Sequence, residues 1–486
     1  MFENIKRTLS SFLPRFLAGS NYAGGYEAAS TGRRLRTWGM ANLGPNSFAM
    51  DSVAVLRNRS RELERNNELV SAGLDTLVAN IVGQGVTPRW VLSDVNAKYR
   101  DQLQAWWQSF VQGCDFDGLC DFYGMQALAV RTMILSGECF GIFRWSDSKN
   151  PLKIQLLEPD YLDETYSDGL NIRYGIEFDA QGLPKNYFFW RNHPAEAVTQ
   201  ERLRIAASDV VHLFKPIRPG QRRGRPWLAQ IILPLHELCQ YNDAELVRKK
   251  TAAMFGGFIL RQEFASPYNP PRMGEETEPN VVELEPGTFT ELPPGYDVKM
   301  AEPADVGGQY DIFVKHQERR VARGMGLTYA QLTGDLADTN YSSIRAGNLE
   351  FQRHIKQLVY HVLVFRFCQP ILSRALNAAV LSGVLDLPGY TDNPEQWQRV
   401  HWCIDGWEWV DPEKDVESEI KAIRAGLKSR SQAISEIGRD IEDVDAENAH
   451  DLANADRYNL IYDTTPRDVA RNGALQGRVQ AQGVQN

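Results

Sequence analysis

Apolar residues recur every three to four positions at Leu69, Ala72, Leu74, Leu77, Val78 and Ile81. That spacing predicts a helix over Glu68–Val82, closed by Gly83 and Gly85. A more charged helix precedes it, Asp51 to Asn67. Trp106, Trp107 and Phe110 fall on one face of another helix, and Gln126–Leu135 reads as a further one. Glu138–Trp145 reads as a strand. Between Ile154 and His212 the period shortens to strand-sized runs (QLLEPDYL, IRYGIEFDAQG, NYFFW, VVHLF) separated by DG, QG and NH turns. There is no βαβ alternation and no internal repeat, so the fold class is α+β.

After Pro226 the helical period returns. Leu228, Ile231, Ile232, Leu235, Leu238, Cys239 and Tyr241 continue through Ala244 and Val247, predicting a helix of roughly 30 residues, about 45 Å long. Pro267, Pro270, Pro271 and Pro279 break the chain, and VVELEPGTFTELPPGYDVKM reads as short strands joined by PG turns. A second helix, Asp311 to Met325, ends at Gly324 and Gly326. The polar stretch LTYAQLTGDLADTNYSS follows, with few apolar anchors. Next comes a helix from Ser343 to Ser382, with Ile344, Phe351, Ile355, Leu358, Val362 and Phe365 as its apolar stripe. Ser342 or Ser343 is the expected N-cap, Pro370 the expected kink and Gly383 the expected close. From Asp411 the chain is helical and strongly charged. Residues 20–50 form a loose lead-in, and the last twenty or so read as disordered. Pro14 and Arg15 interrupt any signal-peptide core, which leaves an amphipathic or flexible arm.

Charge changes the picture. The 486 residues carry 53 Lys+Arg against 62 Asp+Glu, net −9, which excludes a globally basic nucleic-acid binder. Met1–Arg65 is net +5, whereas Asp405–Asp456, with 15 acids and six bases, is net −9. Six cysteines without a CxxC pair read as buried thiols in a reducing compartment. No run of ~18 uncharged apolar residues is present, so no membrane partner is expected.

Walker A, HExxH, GxSxG and GxGxxG sequences are absent. His354 and His361 share a helix face but lie ~10 Å apart by rise, too far for one zinc. Asp115, Asp117 and Asp121 around Cys114 and Cys120 read as a cation loop or, more simply, as a turn whose carboxylates bond the backbone. Ser342 and Ser343 have no identifiable base. No catalytic residue, metal or cofactor is therefore assigned, and the chain is not read as an enzyme. The most basic run is RPGQRRGRP, Arg218–Pro226. Its RGRP core resembles an AT-hook, which would make the chain a DNA-binding architectural protein acting through RRGRP. The competing reading is a Gly/Pro corner whose arginines pair elsewhere or meet a neighbouring subunit.

Seven stretches, in order, resemble the lambda family of phage portal proteins: RNNELVSAGLDTLVANIVGQGVTPR (65–89), CDFDGLCDFYGMQALAVRTMILSGECF (114–140), LLEPDYL (156–162), HLFKPIRPGQRRGRPWLAQIILPLHELCQYNDAELVRKKTAAMFGGFIL (212–260), VELEPGTFTELPPG (282–295), TGDLADTNYSSIRAG (333–347) and DPEKDVESEIKAIRAGLKSRSQAISEIGRD (411–440). The resemblance implies a portal fold of wing, helical stem, small β-containing clip and mainly helical crown, assembled as a ring typically of twelve subunits at one procapsid vertex. On this chain it implies an N-terminal arm (1–60), wing (61–225), first stem helix (226–262), clip (263–305) and second stem helix (306–326). A tunnel loop (327–342), the long kinked wing helix (343–410), an acidic helical crown (411–456) and a flexible tail (457–486) follow. The implied partners are other copies of the chain, the terminase large subunit, the major capsid protein and scaffold, head-completion and connector proteins, and double-stranded DNA bound without sequence specificity. The implied location is the virion, after assembly in the bacterial host cytoplasm. Twelve acidic subunits would carry on the order of −100 charges, enough to repel and centre a duplex.

Three residue groups carry the expected contacts. Asp335, Leu336, Asp338, Thr339 and Asn340 form the tunnel loop. Arg248, Lys249 and Lys250 either pair with acids of an adjacent subunit or face the channel. Glu275, Glu276 and Glu278 either dock the terminase or form a solvated acidic turn.

Overall fold

A single asparagine separates the first two helices. The computed structural model describes residues 44–92, 96–146, 150–196, 201–254, 258–261, 296–299, 310–337, 340–404, 406, 412–439 and 441–460. Helix α1 (Ser47–Asn66) stops where Asn67 turns extended, and the Asn67 side chain accepts the Val70 N–H to cap α2 (Glu68–Val82). Leu74, Leu77 and Ile81 of the expected stripe are buried, Leu69 and Val78 are half-buried, and Val70 is buried in place of the exposed Ala72. Strand β1 (Thr87–Trp90) follows. Helix α3 (Arg100–Gly113) then turns Leu103, Trp106, Trp107 and Phe110 into the main core. Asp115 explains the turn after it. Its carboxylate accepts the N–H groups of Asp117, Leu119 and Cys120 at 3.1, 2.7 and 3.1 Å, the backbone-bonding turn rather than a cation loop. Asp121 caps α4 (Phe122–Ser136) through the Gly124 N–H.

Strand β2 (Glu138–Trp145) pairs antiparallel with β3 (Leu152–Leu157). Strands β4 (Ile172–Arg173), β5 (Ile176–Phe178), β6 (Pro184–Trp190) and β7 (Arg202–Ala206) form a four-stranded antiparallel meander. The chain then returns as β8 (Val210–Phe214) on the free edge of β2, which becomes the central strand of a three-stranded sheet. Alternate residues of β2 enter two different cores. Cys139 and Phe143 join the helices, while Phe140 and Ile142 pack with Leu157, Leu162, Ile176, Tyr187 and Phe189. Burial on both faces is why this strand reads as a continuous apolar run.

Helix α5 (Ile232–Met254) is shorter than its pattern suggests, because residues 227–230 form a 3-10 turn and β9 (Phe258–Arg261) lies within the range expected to be helical to 262. Strand β9 pairs antiparallel with β10 (Tyr296–Lys299). Only Leu228, Ile231, Ile232, Leu235 and Leu238 of the stripe are buried; Val247 is 60% exposed. Helix α6 (Tyr310–Met325) runs back along α5. Tyr241 stacks on Tyr310, and the Tyr310 hydroxyl donates to Asn242. Val321, Ala322 and Met325 then rejoin the main core.

A short helix, α7 (Tyr329–Thr333), precedes α8 (Tyr341–Leu358). The long helix continues through ten residues of π winding, Val359–Cys368, into α9 (Gln369–Leu381). Pro370 brings no N–H to the ladder, and just before it the Gln369 N–H donates to Val364, five residues back. The wider winding shifts the helical phase. Phe365, expected on the apolar stripe, is therefore 70% exposed, while Leu363, Val364 and Phe367 are buried. Helix α10 (Glu395–Gln398) buries Trp397, whose carbonyl accepts the Trp90 indole N–H at 3.1 Å. Strand β11 (Val400–Cys403) pairs with β1. The acidic region is helical: α11 (Pro412–Arg424), α12 (Arg430–Glu436) and α13 (Ile441–Tyr458). It meets the body at Arg345–Asp415, 2.8 Å, and at Arg100–Glu442.

Gly137 joins α4 to β2 at φ +96°, and a Cβ there would lie 2.6 Å from the carbonyl carbon of Arg225. Gly137→Ala combines left-handed strain with a backbone clash and is expected to cost at least ~2 kcal/mol. Denaturant unfolding checks this; an unchanged midpoint would contradict the close approach.

Candidate functional site

Among the described residues, buried charges gather where the sheet meets the corner leading into α5. Glu138, the first residue of β2, is fully buried. Its carboxylate accepts the Arg223 Nε–H at 2.8 Å, the Gly224 N–H at 2.7 Å and the His212 Nε2–H at 2.9 Å. Arg223 reaches on to Glu164 at 2.5 Å, and Glu164 also receives Arg57 at 2.6 Å. One helical turn along α1, Arg61 meets Asp160 at 2.6 Å and Glu158 at 3.0 Å. The network thus ties α1, the start of β2, β8, the loop after β3 and the RRGRP corner into one unit. Glu158, Asp160 and His193 are the one group among the described residues that could hold a metal ion, but the Arg61 guanidinium already lies between the two carboxylates.

The electrostatics follow from burial and pairing. Burial would raise the Glu138 carboxyl, but Arg223 and His212 together hold it well below the usual carboxylate range. Burial also works against the Arg223 charge, yet Glu138 and Glu164 strengthen its hold on the proton. For His212, burial outweighs the pull of Glu138, and the ring stays neutral. Nε2–H then donates to Glu138, and Nδ1 accepts the Tyr187 hydroxyl at 3.4 Å.

This geometry overturns the AT-hook reading. Arg223 is 3% exposed, and a Cβ on Gly224 would lie 2.0 Å from the Gly137 carbonyl oxygen. The segment is clamped to β2 and cannot extend along a minor groove. Glu138 was not singled out from sequence, although an acid opening the apolar strand ECFGIF is costly unless paired. That cost is the signal that points to a buried arginine.

The residues expected to form a tunnel loop, 327–342, divide in two. Leu327 and Leu332 are buried. Thr328 and Gln331 form a reciprocal capping box on α7, so this half is an anchored helix rather than a loose loop. Its seat is Gly73 of α2, where an added Cβ would lie 2.6 Å from Met325 and 3.0 Å from Leu332. Beyond Gly334, at φ +72°, Asp335 accepts the Ala337 N–H at 2.9 Å and lies 3.9 Å from the Lys315 ammonium. Leu336 is 59% exposed. Asp338 and Thr339 lie outside the described residues. Asn340 caps α8 through the Ser343 N–H, in place of the expected serines.

The three bases sit near the far end of α5. Arg248 pairs with Glu245 at 2.6 Å on its own helix. Lys249 lies over the Tyr310 ring at 5.3 Å, and Lys250 is exposed. Glu275, Glu276 and Glu278 lie outside the described residues. On the outward part of the α5/α6 pair, Leu246, Val247, Ile312 and Phe313 are exposed.

The ionic unit has a definite pH signature. The folded pKa of Glu138 is below its unfolded value of about 4.3, so its contribution is complete above that pH and is lost only as pH falls through the folded value. His212 is also depressed, so the unfolded chain binds a proton near pH 6.5 that the folded chain does not. Stability is therefore expected to fall as pH drops through 6.5, and His212→Gln to reduce that slope in thermal melts from pH 8 to 5. An identical slope in the variant would refute the assignment. Glu138→Gln removes the charge opposing Arg223 and is expected to cost about 3 kcal/mol or more.

A sequence profile described as "Phage portal protein, lambda family" matches residues 31–358. The chain is 27% identical over 434 residues to the probable portal protein of Halomonas phage phiHAP-1, covering 83% of this chain and 81% of that one. It is 21% identical over 474 residues to portal protein B of Escherichia phage lambda, covering 88% and 89%. A chain in the neck of a native GTA particle aligns with a TM-score of 0.45 and 15% identity, over 78% of this chain and 93% of that chain. From α1 to the end of α8 the residues follow one family pattern, and the chain belongs to the lambda family of phage portal proteins.

Proposed function

We propose that the protein forms a closed ring, of twelve subunits, at one vertex of a phage procapsid, and that the terminase threads duplex DNA through its axial channel. The genome leaves by the same route, and the ring joins head to tail. Family membership supports the portal role. The observation that carries the ring is the outward α5/α6 pair, which leaves Val247 60% and Ile312 67% exposed. A lone subunit gains nothing from holding such side chains in water. A heterologous contact repeated around an axis buries each against the next copy and closes when the rotation divides a full circle. Among the described residues no helix is long and apolar enough to cross a membrane.

In this reading Asp335 and Leu336, beyond the anchored helix α7, line the channel, with α7 seated on Gly73 as their fixed base. The 263–305 segment, with Glu275, Glu276 and Glu278, is the terminase-facing end. Arg248, Lys249 and Lys250 lie on the stem between the two.

Two experiments test this. Light scattering of the full chain is expected to give a ring many times the 55.0 kDa subunit mass, and Val247→Asp with Ile312→Asp to give folded monomers. A wild-type chain that stays monomeric over a wide range of concentration and salt would sink the ring. Deleting Asp335–Asp338 is expected to leave rings intact while impairing DNA packaging or retention. Normal packaging and retention by the deletion would remove these residues from the channel.

A further inference from the structure

One residue beyond the clamped Gly224, the corner opens onto a cavity of about 510 Å³ between the end of β8, the end of α6 and the middle of α8. Its charged lining is lopsided. Lys215, Arg225, Arg323 and His354 face it, against the single acid Glu350. Glu350 reaches only Arg323, at 3.4 Å, and both side chains are largely exposed at the rim, where such a pair contributes little. Among the described residues neither Lys215 nor Arg225 has a carboxylate partner. Two buried arginines, Arg57 and Arg223, each meet two acids, whereas the half-buried Arg225 meets none among the described residues.

Two further donors are left over. The Arg225 Nε–H and the Trp227 indole N–H are both buried and without an acceptor. A buried donor without an acceptor is costly, and a bound ion is one of its standard explanations. The Lys215 ammonium sits 4.6 Å from the centre of the Trp227 ring, a weak partner for a cation. Burial and then Arg225 push the Lys215 ammonium below the usual lysine range, while burial, Lys215 and Arg323 push His354 down. An anion between them would relieve both, and the two idle N–H groups belong to residues that line the same cavity.

We propose that this cavity binds a phosphate-type oxyanion, held by Lys215, Arg225 and Arg323 with the Trp227 indole N–H as a further donor. A cation is repelled by the three bases. A carboxylate offers two oxygens in one plane, whereas the donors here come from three separate parts of the fold. A tetrahedral oxyanion presents acceptors in all those directions. The volume lies within the small-molecule range of ~300–1,000 Å³, and Trp227 and Phe351 give it an apolar wall. It therefore has room for the group that carries the phosphate. That group is a free phosphate compound of nucleotide size or the backbone of a DNA strand. Nothing in this chemistry requires the ring.

Calorimetry of the full chain at low salt, with inorganic phosphate and then AMP, tests the site. Binding is expected at one site per chain, weakened about tenfold or more by Arg225→Gln. Arg323→Gln changes an exposed rim residue that the fold does not need, and is expected to weaken binding several-fold. AMP binding that a 20-bp duplex does not displace identifies a free phosphate compound as the source. Displacement by the duplex identifies the DNA backbone. Failure of the wild-type chain to bind phosphate, AMP or duplex overturns the proposal, including the case in which a carboxylate of a neighbouring subunit already fills the cavity. Binding that is unchanged in both variants overturns it as well.

Discussion

The buried Glu138 carboxylate is the point on which the rest of the subunit turns. A charge in an apolar interior is tolerated only when nearly every lone pair is occupied. Here Arg223, His212 and the Gly224 N–H occupy them. Each partner comes from a different part of the chain, so satisfying one side chain fixes three relations: β8 beside β2, the RRGRP corner against the start of β2, and, through Arg223, Glu164 and Arg57, helix α1 over both. The corner leads directly into α5. The direction in which α5 leaves the body is therefore set by a buried ion pair, whose geometry is more demanding than apolar packing alone.

That placement matters because α5 and α6 lie half in and half out of the core. Leu235 is fully buried and Val247 is mostly exposed on one helix, and Met325 and Ile312 repeat the contrast on the other. The inner halves belong to the core that α2, α4 and the long helix share. The outer halves are held to each other by Tyr241, Tyr310 and Phe313. In a ring, an error in the angle at which this pair leaves the body would be repeated at every interface, and a small one would stop the circle closing. A stiff ionic corner at the root of the pair fits that demand.

Much of this was legible in the sequence, and what was hidden has physical causes. The bounds of β2 match the strand read from the apolar run Cys139–Phe143 and its flanks, Glu138 to Trp145. Helix α2 follows from its period and its glycine stop. The phase of the long helix after Leu358 is not legible, because its π winding depends on hydrogen bonds five residues apart that no 3.6-residue pattern encodes. Phe365, inward by that pattern, therefore lies outward. The pairing of β1 with β11 joins two four-residue strands some 310 positions apart, too short and too distant for any local signal. The anchored half of the 327–342 segment rests on Thr328 and Gln331, a capping box that the polar composition of LTYAQLT conceals.

The corner also shows that residue type alone does not assign a role to an arginine. Arg223 and Arg225 are separated by one glycine, in a run that reads as uniformly basic. Gly224 lies so close to the Gly137 carbonyl that the backbone is pressed against β2, and side chains on either side of it point to different surroundings. Arg223 is turned to two carboxylates and becomes part of the structure. Arg225 is turned to a cavity that offers Lys215 and Trp227, and whose single acid, Glu350, meets Arg323 at the rim. The same charge is thus neutralised at one position and left over at the next. A fold that matches the buried Arg57 and Arg223 with acids, yet leaves Arg225 beside a second cation, holds the electrostatic conditions for an anion at the root of α5 and α6.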